Sequence, residues 1–227
     1  NPNVPGCGCG SNALAGVGVA FYVMAAVRRE IDARGTVVMP PVQDFLDLVA
    51  LGTVADLVPL DVNNRVLVSQ GIRRIRAGRA VPGIRALLAI GNRAASSVTS
   101  ADLGFTIGPR LNAAGRLDDM SIGIRCLLAE SDSEALALAT RLDQLNSERR
   151  EIEARMQGAA IAAVARLKDP GENGPARHGV CLFDGDWHQG VVGLVASRIK
   201  DRIRRPVIAF APAAAGTLRG SAGSVPG

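Results

Sequence analysis

The chain has 227 residues, 48% of them hydrophobic, and a net charge of +5 at pH 7. It is long enough to bury one large or two modest cores, and its four scattered cysteines, Cys7, Cys9, Cys126 and Cys181, fit a reducing compartment better than a disulfide framework. The longest apolar stretch, Leu14 to Val27, is fourteen residues with two glycines, too short to span a bilayer, and no basic-then-apolar leader precedes it, so a cytoplasmic protein is expected.

A first helix is predicted from Ser11 to Arg29, capped by Ser11 or Asn12, with Leu14, Val17, Phe21 and Met24 at helical spacing. A second, buried one runs from Gln43 to Leu51 and ends near Gly52; a third runs from Asp61 as N-cap to Ala77, with Gly78 as its stop. Between them lies VALGTVADLVPL, Val49 to Leu60, in which Asp56 is the single charge. An unpaired carboxylate is costly to bury, so Asp56 either reaches water from a loop or is paired, hydrogen-bonded or on a metal. The neighbouring Asp44, Asp47 and Asp61 read as first-turn or capping charges.

GPRLNAAGRLDD, Gly108 to Asp119, sets Arg110, Asn112 and Arg116 among small residues that let a ligand approach the backbone. The competing reading is a helix-breaking turn with structural arginines. From SDSE, with Ser131 and Glu134 as a capping box, a proline-free run reaches Lys168 before Asp169-Pro170-Gly171 ends it. Leu138, Leu142, Leu145, Arg149, Ile152, Met156, Ala159 and Ala163 form one stripe down a single long helix, the kind that bridges two bodies. Then the period changes: a strand from Gly179 to Phe183, a helix from Gly190 to Ile203 and a strand from Pro206 to Ala211 make a parallel strand-helix-strand unit.

Within that unit, DWHQGVVG places Trp187 and His188 ahead of a helix whose first N–H groups, at Gly190 and Val191, favour an anion. The plain alternatives are a core tryptophan and a structural histidine. GSAGS, Gly220 to Ser224, is either a backbone cradle for phosphate or a glycine-serine turn. Cys7-x-Cys9 lacks a second pair, so loop or core thiols are a better reading than zinc. Of 26 basic residues 24 are arginine, the side chain whose planar fork suits phosphate. The clusters Arg73, Arg74, Arg76, Arg79 and Arg202, Arg204, Arg205 are solvated helix faces or the footprint of a nucleic acid.

Taken in order, LDLVALGTVADLVPLDVNNR, LGFTIGPRLNAAGRLDDMSIG, DWHQGVVGLVASRIKDRIRRPVIAFAP and the closing GSAGS resemble successive motifs of the RecJ single-stranded-DNA exonucleases of the DHH phosphoesterase superfamily. The resemblance takes in nearly the whole chain, including SNALAGVGVAFYVM near its start. It implies an α/β fold: residues 1–130 as the C-terminal, helix-rich remainder of a DHH parallel-sheet domain, 131–169 as a long connecting helix, and 178–227 as the start of a DHH-associated nucleic-acid-binding domain.

It further implies 5′ to 3′ hydrolysis of single-stranded DNA in recombination and repair, supported by Mn²⁺ or Mg²⁺. Asp56 would be a metal ligand and catalytic residue, held rigid by its apolar neighbours. His188 would be catalytic, and Arg110, Asn112, Arg116 and Ser221 would hold substrate. Single-stranded DNA would be the partner, with a single-strand-binding protein or a helicase beside it, and no membrane. The sequence also departs from the family: the earlier aspartate motifs, the Asp-His-His and the later glycine-glycine-histidine motif are absent, so a segment of a longer protein, inactive alone, is expected. Where the family reads Gly-Ser-Gly-Arg-Ser, Gly223 stands in the arginine's place. Two other readings share these features: a DHH-class phosphodiesterase of short oligonucleotides or cyclic dinucleotides, and a non-catalytic single-strand-binding module. Aromatics at 3% supply a base-stacking platform poorly, which weighs against the last.

Overall fold

The computed structural model describes residues 4, 6, 8, 11–35, 38–167 and 178–225; Cys7, Cys9 and the Asp169-Pro170-Gly171 stop lie outside them. The chain packs as two compact units, Asn1–Ala114 with Met120–Asp143, and Gly115–Asp119 with Gln144–Gly227.

The first unit is helical: α1 (Gly16–Arg34), α2 (Leu46–Ala55), α3 (Val62–Arg76), α4 (Pro82–Ile90), α5 (Ser100–Asp102), most of α6 (Gly108–Leu117), α7 (Ser121–Leu128) and the start of α8 (Asp132–Arg166). Phe21, Val49 and Leu67 form one centre of its core, with Leu14, Val17, Val42 and Leu46 packed around them. Helix α1 begins five residues later than the sequence suggests, because Ser11 has another partner. Its hydroxyl is buried and donates to Asp61 Oδ2 at 2.5 Å, leaving Ala15 as an N-cap without a side-chain bond. Asp61 caps α3 as predicted, accepting the Asn64 N–H at 2.8 Å; that bond and the Ser11 hydroxyl hold its carboxyl below the usual carboxylate range.

The second predicted helix is displaced. Val42–Phe45 forms a 3-10 turn and α2 then continues through Gly52 to Ala55. Gly52 does not stop the helix because it is a contact point: a Cβ there would lie 2.8 Å from Val17 Cγ1. Asp47, in the first turn of α2, is fully buried and accepts the N–H of Leu48 at 2.9 Å and of Val81 at 2.8 Å, so it ties α2 to the residue that precedes α4. Cys126 of α7 is also buried, which pushes its thiol up to about 11.

α8 runs 35 residues, about 52 Å at the standard rise, with Ser131 Oγ accepting the Glu134 N–H at 3.2 Å. The apolar stripe read from the sequence drifts off the true buried track. Leu142, Leu145 and Met156 are buried, but at the far end Ala160 is covered and Ala159 is exposed. A stripe stepped by fours and threes follows a 3.5-residue period and lags a 3.6-residue helix by about 20° per heptad.

The second unit carries a three-stranded sheet, order β1 (Val180–Phe183), β2 (Val207–Pro212), β3 (Leu218–Gly223), with α9 (Val192–Ile203) on one face. β1 and β2 are parallel, joined through α9 as the period change predicts. The correction is at the end: GSAGS is not a turn, since Gly220 to Gly223 belong to β3, antiparallel to β2. Trp187 sits in the core with Val191, Val195, Ile199 and Leu182. Among the described residues no helix is long and apolar enough to cross a membrane.

α2 crosses α3 closely at Gly71, where a Cβ would overlap the Leu46 carbonyl oxygen and the Ala50 side chain. Gly71→Ala is therefore expected to destabilise the protein by about 1–3 kcal/mol, the usual cost of overpacking, although alanine is the better helix former. The midpoint of urea unfolding checks this; an unchanged or raised midpoint would show that the crossing can open without cost.

Candidate functional site

The second unit contains a cleft of about 530 Å³ lined by the end of α6 (Gly115, Arg116, Leu117) with Asp118, by the loop and first turn at α9 (His188, Gln189, Gly190, Val192, Gly193) and by Arg219, Gly220 and Ser221 of β3. It brings together Arg116, His188 and Ser221 of the residues singled out in the sequence. Gly190 makes the assembly possible. A Cβ there would overlap the Arg116 carbonyl oxygen, so only glycine lets this loop lie against the last turn of α6. Arg116 Nη1 in turn donates to the Gly190 carbonyl at 3.1 Å.

The amides of Gly190 and Val191, expected from the sequence to be open to an anion, are not free. α9 starts at Val192, and both amides are engaged: Gly190 N–H donates to His188 Nδ1 at 3.1 Å and Val191 N–H to the His188 carbonyl at 3.0 Å. This fixes the neutral imidazole tautomer. With Nδ1 accepting, the proton sits on Nε2, which becomes a donor for a bound anion. Ser221 Oγ closes over the first turn of α9, 3.1 Å from where a Cβ of Gly193 would stand.

Behind the cleft the second unit carries buried charge. Glu153 of α8 is nearly inaccessible and pairs with Arg149 at 2.6 Å and Arg198 at 2.5 Å, and Arg149 also donates to Asn146 Oδ1 at 2.9 Å. Burial lowers the Arg149 guanidinium from its ordinary value, and the nearby cations of Arg150, Arg116 and Arg198 add to that, against the attraction of Glu153. Arg149, placed in an apolar stripe by its spacing, was the sequence signal for this network.

Other predicted site residues belong to the first unit. GPRLNAAGRLDD is not a turn: Gly108 to Leu117 form α6, entered through a π-helical turn over Leu103–Ile107. Pro109 has no N–H and its ring collides with the carbonyl four residues back, so the widened turn just before it is what lets the helix pass. On α6, Arg110 is committed to protein acceptors, with Nε and Nη2 each 2.8 Å from Asp143 and Nη1 donating to the Thr106 carbonyl at 2.6 Å. Asn112 is exposed and makes no side-chain hydrogen bond among the described residues. Neither lines the cleft of the second unit.

Asp56 is the C-cap of α2 and is exposed, not buried among its apolar neighbours. It stands at the negative end of a helix whose last turn carries no basic residue, ahead of Leu57 in the left-handed conformation with φ 56°. A carboxylate there attracts a cation. Yet among the described residues no group of three or more His, Cys, Asp or Glu side chains is placed to hold a metal ion.

The residues missed by sequence reasoning are Arg219, Gln189 and Asp118. Arg219 and Ser221 are two apart, the spacing that puts both on one face of a strand, a signal hidden while the segment is read as a loop.

No protein-family model matches the chain. It is 54% identical over 232 aligned residues to the single-stranded-DNA-specific exonuclease RecJ of Dickeya dadantii, an alignment that takes in 100% of this chain and 40% of that relative. Among solved structures, an exonuclease RecJ bound to manganese matches with a TM-score of 0.74 at 32% identity, over 92% of this chain and 48% of that one. RecJ from Thermus thermophilus in complex with Mg²⁺ matches with a TM-score of 0.71 at 33% identity, over 86% and 28%. The chain thus spans less than half the length of the proteins it matches.

Two glycines separate close packing from mere flexibility. Gly190→Ala is expected to lower stability by about 1–3 kcal/mol through overlap with Arg116, whereas Gly158→Ala, in the open on α8, is expected to raise it by about 0.5–1 kcal/mol. Urea unfolding of both variants decides it; similar shifts in the two would remove the Gly190 contact as the cause.

Proposed function

The chain belongs to the RecJ family, and from that premise we propose that it serves the metal-dependent, 5′ to 3′ exonucleolytic hydrolysis of single-stranded DNA in recombination and repair, with the cleft of its second unit holding the strand's phosphates. The observation that supports this reading is the donor set of that cleft: Arg116, Arg219, His188 and Ser221, with Asp118 the one acidic residue in the lining. Guanidinium groups bind a phosphate through paired N–H bonds, a hydroxyl and an imidazole N–H add neutral donors, and net positive charge draws a polyanion in. Single-stranded DNA, the substrate for which the relatives are named, is a string of phosphates that such a set suits.

In this reading Arg116 and Ser221 bind and orient. His188 Nε2–H donates to a phosphate oxygen and is the group on hand to deliver a proton to a leaving oxygen as negative charge develops there. Residues 1–130 would form the remainder of a DHH domain, 131–169 its connecting helix and 178–227 the start of a nucleic-acid-binding domain. The work would take place in the cytoplasm, and a single-strand-binding protein or a helicase acting on the same strand is the further partner this reading invites.

The metal is a separate matter. Related proteins hold Mn²⁺ or Mg²⁺, and the two-cation chemistry of phosphodiester hydrolysis needs several converging carboxylate or histidine ligands. The described residues do not make such a site. Asp56 is a single exposed carboxylate and would be one ligand among others outside the described residues. It follows that the 227-residue chain alone should bind a single strand without cutting it. Chelator-sensitive cleavage by the purified chain would show a metal site built from residues outside the described set.

Two substitutions test the two halves. Arg116→Ala should weaken binding of a labelled single-stranded oligonucleotide and lower the slope of log affinity against log salt by about 0.7, the loss of one phosphate contact on a single strand. Unchanged affinity and slope would take Arg116 out of the phosphate contacts. Asp56→Asn, in a nuclease-active form of the protein, should abolish Mn²⁺-dependent cleavage and leave the unfolding midpoint where it was, since an exposed amide keeps the shape and loses the charge. Near-normal cleavage would end the ligand assignment. Preference for substrates of a few nucleotides over long strands would favour the short-oligonucleotide phosphodiesterase instead.

A further inference from the structure

We propose that Arg219 is the cation by which β3 holds a phosphate of the bound strand, four residues before Gly223 on the same face of β3. The inference rests on reading the cleft of the second unit as a phosphate site.

The antiparallel register pairs Ala211 with Arg219, Ala209 with Ser221 and Val207 with Gly223. Directly opposed residues in such a pair project to the same side of the sheet. Val207, Ala209 and Ala211 are all fully buried in the core formed with α9, so Arg219, Ser221 and Gly223 project to the α9 side as well. The three positions then divide along the strand. Arg219 and Ser221 line the cleft, and Gly223 does not. At Gly223 a Cβ would stand 3.1 Å from Lys200 Cδ and 3.7 Å from its Cβ and Cγ, a close contact that the flexible stem of Lys200 relieves by moving a few tenths of an ångström. The Lys200 ammonium is drawn aside to Asp201 at 2.9 Å.

Arg219 is also the arginine of this unit's charged centre with nothing to do inside the protein. Arg116 donates to Gly190, and Arg149 and Arg198 share Glu153. Arg219 is exposed and makes no side-chain hydrogen bond or ion pair among the described residues. A free guanidinium fork two residues from a hydroxyl on one strand face, in a cleft with a second arginine, is suited to the paired oxygens of a phosphodiester.

The test is binding of a labelled single-stranded oligodeoxynucleotide to the purified protein across a range of salt. Arg219→Ala should lower affinity about tenfold, the worth of one charge-assisted contact, and reduce the salt slope by about 0.7. Arg219→Lys should keep the slope, because the charge remains, and lose part of the affinity with the fork. An unchanged unfolding midpoint for Arg219→Ala separates a lost contact from a lost fold. If Arg116→Ala weakens binding and Arg219→Ala changes neither affinity nor slope, the inference fails and the cleft stands; if neither variant weakens binding, the cleft reading fails with it.

Discussion

The contact between Gly190 and the last turn of α6 is the constraint on which the second unit's chemistry depends. Because residue 190 has no side chain, its backbone lies against the Arg116 carbonyl, and both of its polar groups are then used: the N–H on His188 Nδ1 and the carbonyl on Arg116 Nη1. One residue thereby aims two of the cleft's donors. It orients the arginine through a bond to that side chain and settles the imidazole tautomer through its own N–H. Neither effect requires a charged partner, so the positive charge of Arg116 and the Nε2 proton of His188 are left for a ligand. A salt bridge in the same place would position the guanidinium as well and cancel what it is there to offer.

The charges behind the cleft follow the same logic. Glu153 is buried and serves Arg149 and Arg198 together, which satisfies the carboxylate without neutralising the pair. Burying ions without compensation is expensive, and the depressed Arg149 guanidinium registers part of that cost. The surplus is positive, and with Arg116 and Arg219 added it is larger. In the proposed reading, an anion entering the cleft would relieve repulsion among Arg116, Arg149 and Arg198 as well as form its own bonds. This differs from the first unit, where Arg110 is matched by Asp143 and Arg74 lies beside Asp44 and Asp47. There arginine is a fastener.

The parts of this architecture visible in the sequence were those governed by local rules. Asp61 as a cap, the long proline-free helix from Asp132 and the change of period that marks β1, α9 and β2 are each decided within a few residues of themselves. The misread parts were decided at a distance. Ser11 would cap α1, but its hydroxyl goes to Asp61, fifty positions away. Gly52 would end α2, but Val17 packs against it. GSAGS has the composition of a turn and becomes a strand because β2 offers it a ladder, with the Phe210 ring lying 2.5 Å from where a Cβ of Gly220 would stand. Glycine and serine usually punctuate a chain; here they admit close neighbours. Of the candidate residues named through family resemblance, Arg116, His188 and Ser221 meet in one cleft and Asp56, Arg110 and Asn112 do not line it; the geometry was illegible, since Arg219 declares itself only once the strand and its register are known.

Asp47 and Asp56 show why the carboxylate most notable in the sequence is not the one the fold buries. An apolar run promises burial to every residue in it, yet helix α2 turns Val49, Ala50, Leu51 and Thr53 inward and ends at residue 56 with its side chain in the open. Asp47, in plainer surroundings, is fully covered because two backbone N–H groups, of Leu48 and Val81, point at it. These hydrogen bonds, one to each oxygen, make Asp47 a structural group. Asp56 has the opposite condition: an open side chain, a helix end that adds to its negative potential, and access to whatever cation the surroundings supply. A carboxylate that is to bind a metal must not be satisfied by its own fold, and exposure at a helix C-terminus keeps it so.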